Sequence, residues 1–314
     1  MTPKFSVIIP LYNKDAFIAD TLNSVLNQKF TDFEIIVIND GSTDNSLHIA
    51  TKILSTFKAK IIISQTNKGL SATRNEGILL AKGDIIALLD ADDIWEPNYL
   101  EELNTLSSTY KNASIYGADY IQFYSKKHQS PPNKNIDNSL KNKQFLVQDF
   151  FKISIYQPIT VPSSFAFKRH VFDSINFNET ITFAEDIEFY IKTNLDYQMA
   201  YNYHPLVISR QDIPNQMTKI GFKGKALPDF NQFEEIAQNN ESLKRYLDTY
   251  RYYFLSQCRI NNDVVNFELM SKHLDQNNLS SKQQFLLNCP IYILKAVKQL
   301  KAALFRKQIK WTSY

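Results

Sequence analysis

The chain has 314 residues, 44% apolar and 21% charged, with a formal net charge of +3. That is room for a full core plus an extension, and too little charge to argue for nucleic acid. Cys258 and Cys289 are the only cysteines and form no CxxC pair, so neither a disulfide scaffold nor a zinc site is indicated.

The predicted elements alternate from the start. Phe5 to Leu11 (FSVIIPL) is a nearly continuous apolar run, as in a strand buried on both faces. Residues 15–27 carry Phe17, Ile18, Leu22, Val25 and Leu26 at helical spacing. A second strand over 33–38 ends in Asn39-Asp40-Gly41-Ser42, with Thr43 a candidate cap for a helix over 43–57. A third strand follows over 60–64. Next comes a helix over 70–81, with Gly83 as its left-handed cap, and then a fourth strand over 84–89. This alternation means parallel βαβ units with right-handed crossovers. Beyond Pro97 the expected elements are a helix (97–110), a strand (114–124), a mobile polar loop (126–143), a strand (163–167), a helix (186–195) and a strand (199–209). From about Gly224 the chain reads helical, with Phe233, Ile236, Leu243, Tyr246, Leu247, Tyr250 and Phe254 at three-to-four spacing.

The strand over 85–89 runs straight into Asp90, Asp92 and Asp93, and nothing in the segment neutralises them. Bare acids do not enter a sheet interior, so they belong at its carboxyl edge, where open α/β sheets bind ligands. Clustered carboxylates suit Mg²⁺ or Mn²⁺, which bridge to substrate phosphates, although a solvated acidic turn would read the same. The same edge collects Pro10, Leu11 and Tyr12 from strand one, Asp40 from strand two, and Arg74 and Asn75 from the helix after strand three. Acids for a base and ribose, a metal for a diphosphate and an arginine for phosphate or stacking describe a nucleotide site. GxGxxG and GxxxxGKS/T are absent, so a dinucleotide oxidoreductase and a P-loop NTPase are unsupported.

FSVIIPLYNK, VINDGSTDNS, NKGLSATRNEG, LLDADD and FAEDIEFYIK, in that order, resemble the motif series of family 2 glycosyltransferases. The resemblance covers roughly the first 220 residues. It implies an α/β GT-A fold, Rossmann-like, with a mainly parallel central sheet flanked by helices and a helical C-terminal extension. The expected division is 1–222 and 223–314. It also implies inverting, metal-assisted transfer from a nucleotide diphosphate sugar, most often UDP, to a glycan or lipid-linked acceptor. By position, Asp40 would contact the base, Asp90 the ribose, Asp92 the metal, Asp186 would be the catalytic base, and Ala91 belongs to the nucleotide-sugar-binding set. Pro10, Tyr12, Arg74 and Arg210 complete the implied donor set. One departure is Ile208-Ser209-Arg210-Gln211-Asp212, where many members have Tyr-Arg-x-His; Asp212 stands in place of that His. His204, upstream, reads as a structural histidine.

Two rivals stand beside this reading. A non-catalytic nucleotide-sugar-binding or scaffold protein of the same fold draws support from Asp212. A nucleotidyltransferase lacks support for want of a Gly-rich basic phosphate loop after strand one. The last helix, 291–310, is basic and amphipathic; it either docks on its own domain or contacts an anionic membrane surface. The extension is also a candidate for homodimerisation or acceptor binding. With no signal segment and no membrane-length apolar run, the expected location is cytoplasmic, extending to the inner face of the membrane.

Overall fold

The structure is a computed structural model and describes residues 2–306 except 127, 212, 215, 217–220 and 222. The chain divides into two compact units, one of residues 1–132, 136–148 and 158–220, the other of residues 133–135, 149–157 and 221–314.

In the first unit β1 (Phe5–Leu11) is buried along its whole length, as its apolar run predicts. α1 (Ile18–Leu26) buries Ile18, Thr21, Leu22 and Val25. β2 (Phe33–Asp40) is buried to its last residue, so Asp40 ends a core strand. α2 (Ser46–Ile53) leads to β3 (Lys60–Gln65), only partly buried at the sheet edge. α3 (Leu70–Leu79) lies close on the sheet: a Cβ on Gly77 would come within 2.5 Å of Ile8 Cγ2. β4 (Ile85–Leu88) and the short β5 (Ile94–Trp95) flank the three aspartates. α4 (Tyr99–Thr109), β6 (Ile115–Ser125), β7 (His128–Ser130) and β8 (Gln144–Leu146) follow. The chain then enters the second unit for α5 (Phe150–Ile153) and returns with β9 (Phe165–Lys168), α6 (Glu185–Asp196) and β10 (Met199–Arg210).

The sheet order is β3-β2-β1-β4-β9-β6-β10-β5, with β7 on β6 and β8 on β10. β3, β2, β1 and β4 are parallel, and the order reverses between β1 and β4. That reversal opens a crevice at the carboxyl ends of these two strands. Beyond β4 the sheet is mixed: β9 runs antiparallel to both neighbours, while β6 and β10 are parallel. The sequence period identifies these later strands, but pairing direction depends on crossovers that period does not encode.

Three local expectations change. Gly83 is not a left-handed cap, because α3 ends at Leu80 with φ −83°. Glycine serves at 83 because a Cβ would meet Phe5 C and Ser6 N at 2.6 Å, and its amide donates to Ser6 Oγ at 2.8 Å. Thr43 does not cap α2; its amide donates instead to Asn13 Oδ1 at 2.8 Å. The 126–143 segment, expected as a loop, contains β7 paired with β6 and a 3₁₀ turn over Asn138–Leu140.

In the second unit α7 (Glu234–Ala237) precedes α8 (Glu241–Asn261), whose Leu243, Tyr246, Leu247 and Phe254 are fully buried. Full burial of such a side chain contributes roughly 1.5–3 kcal/mol. Tyr246 packs on Phe150 and Phe151 of α5, and Ile236, expected inward, is 49% exposed. α9 (Val264–Ser271), α10 (Ser281–Asn288) and α11 (Ile291–Arg306) complete it. α11 docks on α8 through buried Leu294, and Lys298 Nζ donates to Gln257 Oε1 at 2.6 Å. Lys307 and Lys310 lie outside the described residues. Among the described residues no helix is long and apolar enough to cross a membrane.

Candidate active site

The three aspartates after β4 find partners, but in residues distant in sequence. Arg74, only 1% exposed, donates from Nη2 to Asp90 Oδ1 at 2.9 Å and from Nη1 to Glu185 Oε1 at 2.7 Å. One guanidinium on α3 thus ties the end of β4 to the first residue of α6. Lys14 Nζ lies 2.7 Å from Asp92 Oδ2. Asp93 is buried and accepts from Ser163 Oγ at 2.6 Å and from the Arg210 amide at 2.8 Å. Ser163 also accepts from the Asp90 amide, and its carbonyl accepts from Trp95 Nε1 at 2.6 Å. The buried indole therefore fixes the serine that holds two aspartates in register.

Burial and mutual repulsion set the acidities. Burial pushes Asp93 well above the usual carboxylate range, with Asp92 and Asp90 adding to it. Asp92 is also raised, by burial first; Lys14 opposes and Asp90 adds. Asp186 is pushed up to about 7, by burial and then by Glu185, against the pull of Arg74. A carboxyl near neutrality suits proton transfer at ordinary pH. Ala184, immediately before this pair, takes the left-handed conformation (φ 63°, ψ 34°). Such a conformation costs roughly 1–2 kcal/mol outside glycine and recurs where function fixes a backbone. It turns the chain sharply into α6, so that Glu185 reaches Arg74 from the helix's first position.

Asp40 is buried and accepts from Gln65 Nε2 at 2.8 Å, Lys68 N at 2.8 Å and Gly69 N at 3.0 Å. It shapes the loop before α3, whose Gly69 has φ 91°. Tyr12 is 48% exposed at the end of β1. Pro10 is buried opposite Ile38, and Ala91 is also buried, its carbonyl accepting from Thr21 Oγ1 at 3.0 Å. Arg210 donates from Nη1 to the Asp92 carbonyl at 3.3 Å and from Nη2 to Asp20 Oδ2 at 2.6 Å, with its cation 5.4 Å from the Phe17 ring centroid. His204 is exposed within β10. Asp212 lies outside the described residues.

Arg74 therefore links Asp90 directly to Glu185, the neighbour of Asp186, and Arg210 contacts the Asp92 carbonyl. Asp40 and Tyr12 stand at the neighbouring strand ends. Lys14 and Ser163 were missing from the predicted set. Lys14 lies within the first motif and could have been singled out as its one cation; Ser163 carries no sequence signal, being 70 positions from Asp93.

Among the described residues no group of three His, Cys, Asp or Glu side chains could hold a metal. One or two of the clustered aspartates would still suit an ion of the Mg²⁺ type, which is commonly held by so few carboxylates together with substrate phosphates and water.

A family model described as glycosyl transferase family 2 matches residues 6–175. The chain is 28% identical over 225 residues to the uncharacterized glycosyltransferase EpsJ of Bacillus subtilis, covering 71% of this chain and 65% of EpsJ. It is 26% identical over 285 residues to an uncharacterized glycosyltransferase of Haemophilus influenzae, covering 88% and 82%. Identity to YibD of Escherichia coli is higher, 43%, but over 106 residues, 34% of this chain and 31% of YibD. The chain thus spans less than two thirds of the length of some of these relatives. A crystal structure of S. aureus TarS in complex with UDP-GlcNAc superposes with a TM-score of 0.68 at 18% identity, covering 98% and 93%. The mannosyltransferase PcManGT from Pyrobaculum calidifontis, in complex with GDP-Man and Mn²⁺, superposes with a TM-score of 0.53 at 16% identity, covering 97% and 81%. At these identities the structural likeness establishes the fold, a GT-A-like mixed sheet flanked by helices. With more than half of its length matched by the family model, this chain belongs to glycosyl transferase family 2.

Proposed function

We propose that the chain is an inverting glycosyltransferase that moves a sugar from a nucleoside-diphosphate sugar, with UDP as the nucleotide, to a hydroxyl of a glycan or lipid-linked acceptor. The observation that carries this reading is the Arg74 bridge, which joins a donor-side carboxylate, Asp90, to Glu185, the neighbour of a carboxyl with pKa about 7.

The reaction breaks the bond from the anomeric carbon to the diphosphate and forms a bond from that carbon to the acceptor oxygen. The acceptor's proton goes to Asp186, on the face opposite the leaving group. The transition state is oxocarbenium-like, as in glycoside hydrolysis. Asp40 is assigned to the base and Asp90 to the ribose. Arg74, buried and committed to two carboxylates, acts as a positioning residue for Asp90 rather than as a phosphate contact. Tyr12 offers its exposed ring to the base; Pro10 and Ala91, being buried, can offer only main chain. Arg210 closes the acid cluster through the Asp92 carbonyl. A divalent ion held by Asp92 would offset charge on the departing diphosphate. The complexes of TarS with UDP-GlcNAc and of PcManGT with GDP-Man and Mn²⁺ support a nucleotide-sugar donor, and the latter supports Mn²⁺.

The test is thermal unfolding against UDP, GDP and CDP, each with and without Mn²⁺. Ligand at a hundred times its Kd adds about 2.7 kcal/mol, a clear rise in Tm. A UDP response that Mn²⁺ strengthens and Asp92→Ala removes supports the donor site; no response to any nucleotide rejects it. For the extension, contact with an anionic membrane rests on Tyr292 and Leu300, 70% and 51% exposed beside the lysines of α11. Liposome co-sedimentation with and without residues 291–314 tests it, and equal binding rejects it.

A further inference from the structure

The loop after β1 brings to the acid cluster a cation that the proposed transfer has not used. Lys14 Nζ is 2.7 Å from Asp92 Oδ2, and both side chains are mostly withdrawn from water, 15% and 14% exposed. The backbone that aims it is fixed on both sides. Asn13 takes the left-handed conformation (φ 49°), its amide donates to Ser42 Oγ at 3.1 Å, and its Oδ1 accepts from the Thr43 amide. The Lys14 amide donates to Ser46 Oγ at 2.7 Å, and the Asp15 amide to Asp44 Oδ2 at 3.1 Å. These bonds lock the loop after β1 to the loop after β2, leaving the lysine stem directed at the carboxylate. Asparagine is among the few residues other than glycine that adopt this conformation readily.

An ammonium and a divalent ion are drawn to the same carboxylate oxygen and repel one another there. Asp90 is the poorer berth, because its Oδ1 is already held by the buried Arg74. The geometry points to Lys14 as the resident counter-cation of Asp92: without donor it occupies the carboxylate that a divalent ion needs, and it turns to the diphosphate oxygens when donor and ion arrive. This rests on the donor-site reading above. An ammonium has three N–H donors, so a lysine released from Asp92 can serve phosphate oxygens directly. Lys14 therefore suppresses metal binding to the empty site and couples ion and nucleotide, each strengthening the other by the same factor.

The experiment measures Mn²⁺ alone binding to the full chain, without nucleotide, by electron paramagnetic resonance of the free ion. The wild type is compared with Lys14→Met, Lys14→Arg and the double variant Lys14→Met/Asp92→Asn. Lys14→Met is expected to bind Mn²⁺ about tenfold tighter than wild type, as removal of a largely desolvated competitor requires. Lys14→Arg, which keeps the charge, stays within about twofold of wild type, and the double variant loses the gain. Equal or weaker Mn²⁺ binding by Lys14→Met, including no binding by either protein, overturns the inference. A general loss of packing would not raise metal affinity, so a merely structural lysine is distinguished. UDP binding, followed separately by calorimetry, reports on the donor-site reading. A chain that takes no nucleotide yet shows the Mn²⁺ gain keeps the Lys14–Asp92 competition and loses the donor; nucleotide binding without the gain does the reverse.

Discussion

Each unit buries a cluster of charges, and the two clusters are built on opposite principles. In the second unit Glu234 and Asp248 face Lys244 and Arg251, two acids against two cations. Asp248 and Arg251 are fully buried, and Asn278 Nδ2 donates to the remaining Asp248 oxygen at 2.8 Å. In the first unit, among the described residues, Asp90, Asp92, Asp93, Glu185 and Asp186 face Lys14 and Arg74, while a third cation, Arg210, is paired with the exposed Asp20. The balanced set completes itself and holds helices together. The unbalanced set concentrates negative charge, visible as raised pKa values at Asp92, Asp93 and Asp186. A buried surplus of one sign is a cost unless a ligand or a proton relieves it, which is why the first cluster is the one proposed to take the donor.

The arginines give the largest contrast. Arg74→Met strands Asp90 and Glu185 and should lose about 3–5 kcal/mol in denaturant unfolding; Arg251→Met leaves Asp248 with Lys244 and Asn278 and should lose about 1–3 kcal/mol. Arg74→Met should also abolish nucleotide binding by calorimetry, while Arg251→Met should leave the nucleotide Kd unchanged in whatever fraction stays folded. Equal effects on nucleotide binding would erase the distinction between the clusters.

Asp186 comes next. Asp186→Asn should lower sugar transfer by about 100–10,000-fold, with donor binding retained. In the wild type, transfer should rise with pH through about 7 as this carboxyl ionises. The stability dependence has the opposite sense. A pKa raised to about 7 means that the folded chain holds the proton more tightly than the unfolded one. That contribution is complete below about pH 4 and is lost as pH rises through about 7. Asp186→Asn should therefore raise Tm relative to wild type at about pH 8 and change it little at about pH 4. A loss of Tm at the higher pH would show that the carboxylate is not strained there.

The smallest effect sharpens the other side. Lys244 is 21% exposed, and Asp248 keeps Arg251 and Asn278 without it. Lys244→Met should cost only about 1 kcal/mol in unfolding, with no change in nucleotide affinity.

Much of the fold is legible because burial repeats at the period of the local element. The runs over 5–11 and 33–38 read as strands since both faces are covered, and both are buried throughout. The aspartates after β4 read as a strand-end site because an apolar run cannot continue into acids. The parts that failed share one cause: they depend on what the rest of the chain brings near. Gly83 has the composition of a cap, but its reason is the backbone of Phe5 and Ser6. Thr43 stands where a cap would, yet is claimed by Asn13. The pairing of 128–130 with β6 is invisible in a polar, proline-containing stretch.

By itself the sequence determined the alternating strands and helices of the first third, the acids that end β2 and β4, and the family to which the motif order belongs. These are properties of neighbours along the chain, fixed by side-chain period and by the refusal of bare charge to enter a core. Only the tertiary structure decided which cation meets which carboxylate: Arg74 on Asp90 and Glu185, Lys14 on Asp92, and Ser163 with the Arg210 amide on Asp93. It alone set the acidity of Asp186 near neutrality, because desolvation and charge–charge energies depend on distance through space and not on separation in sequence.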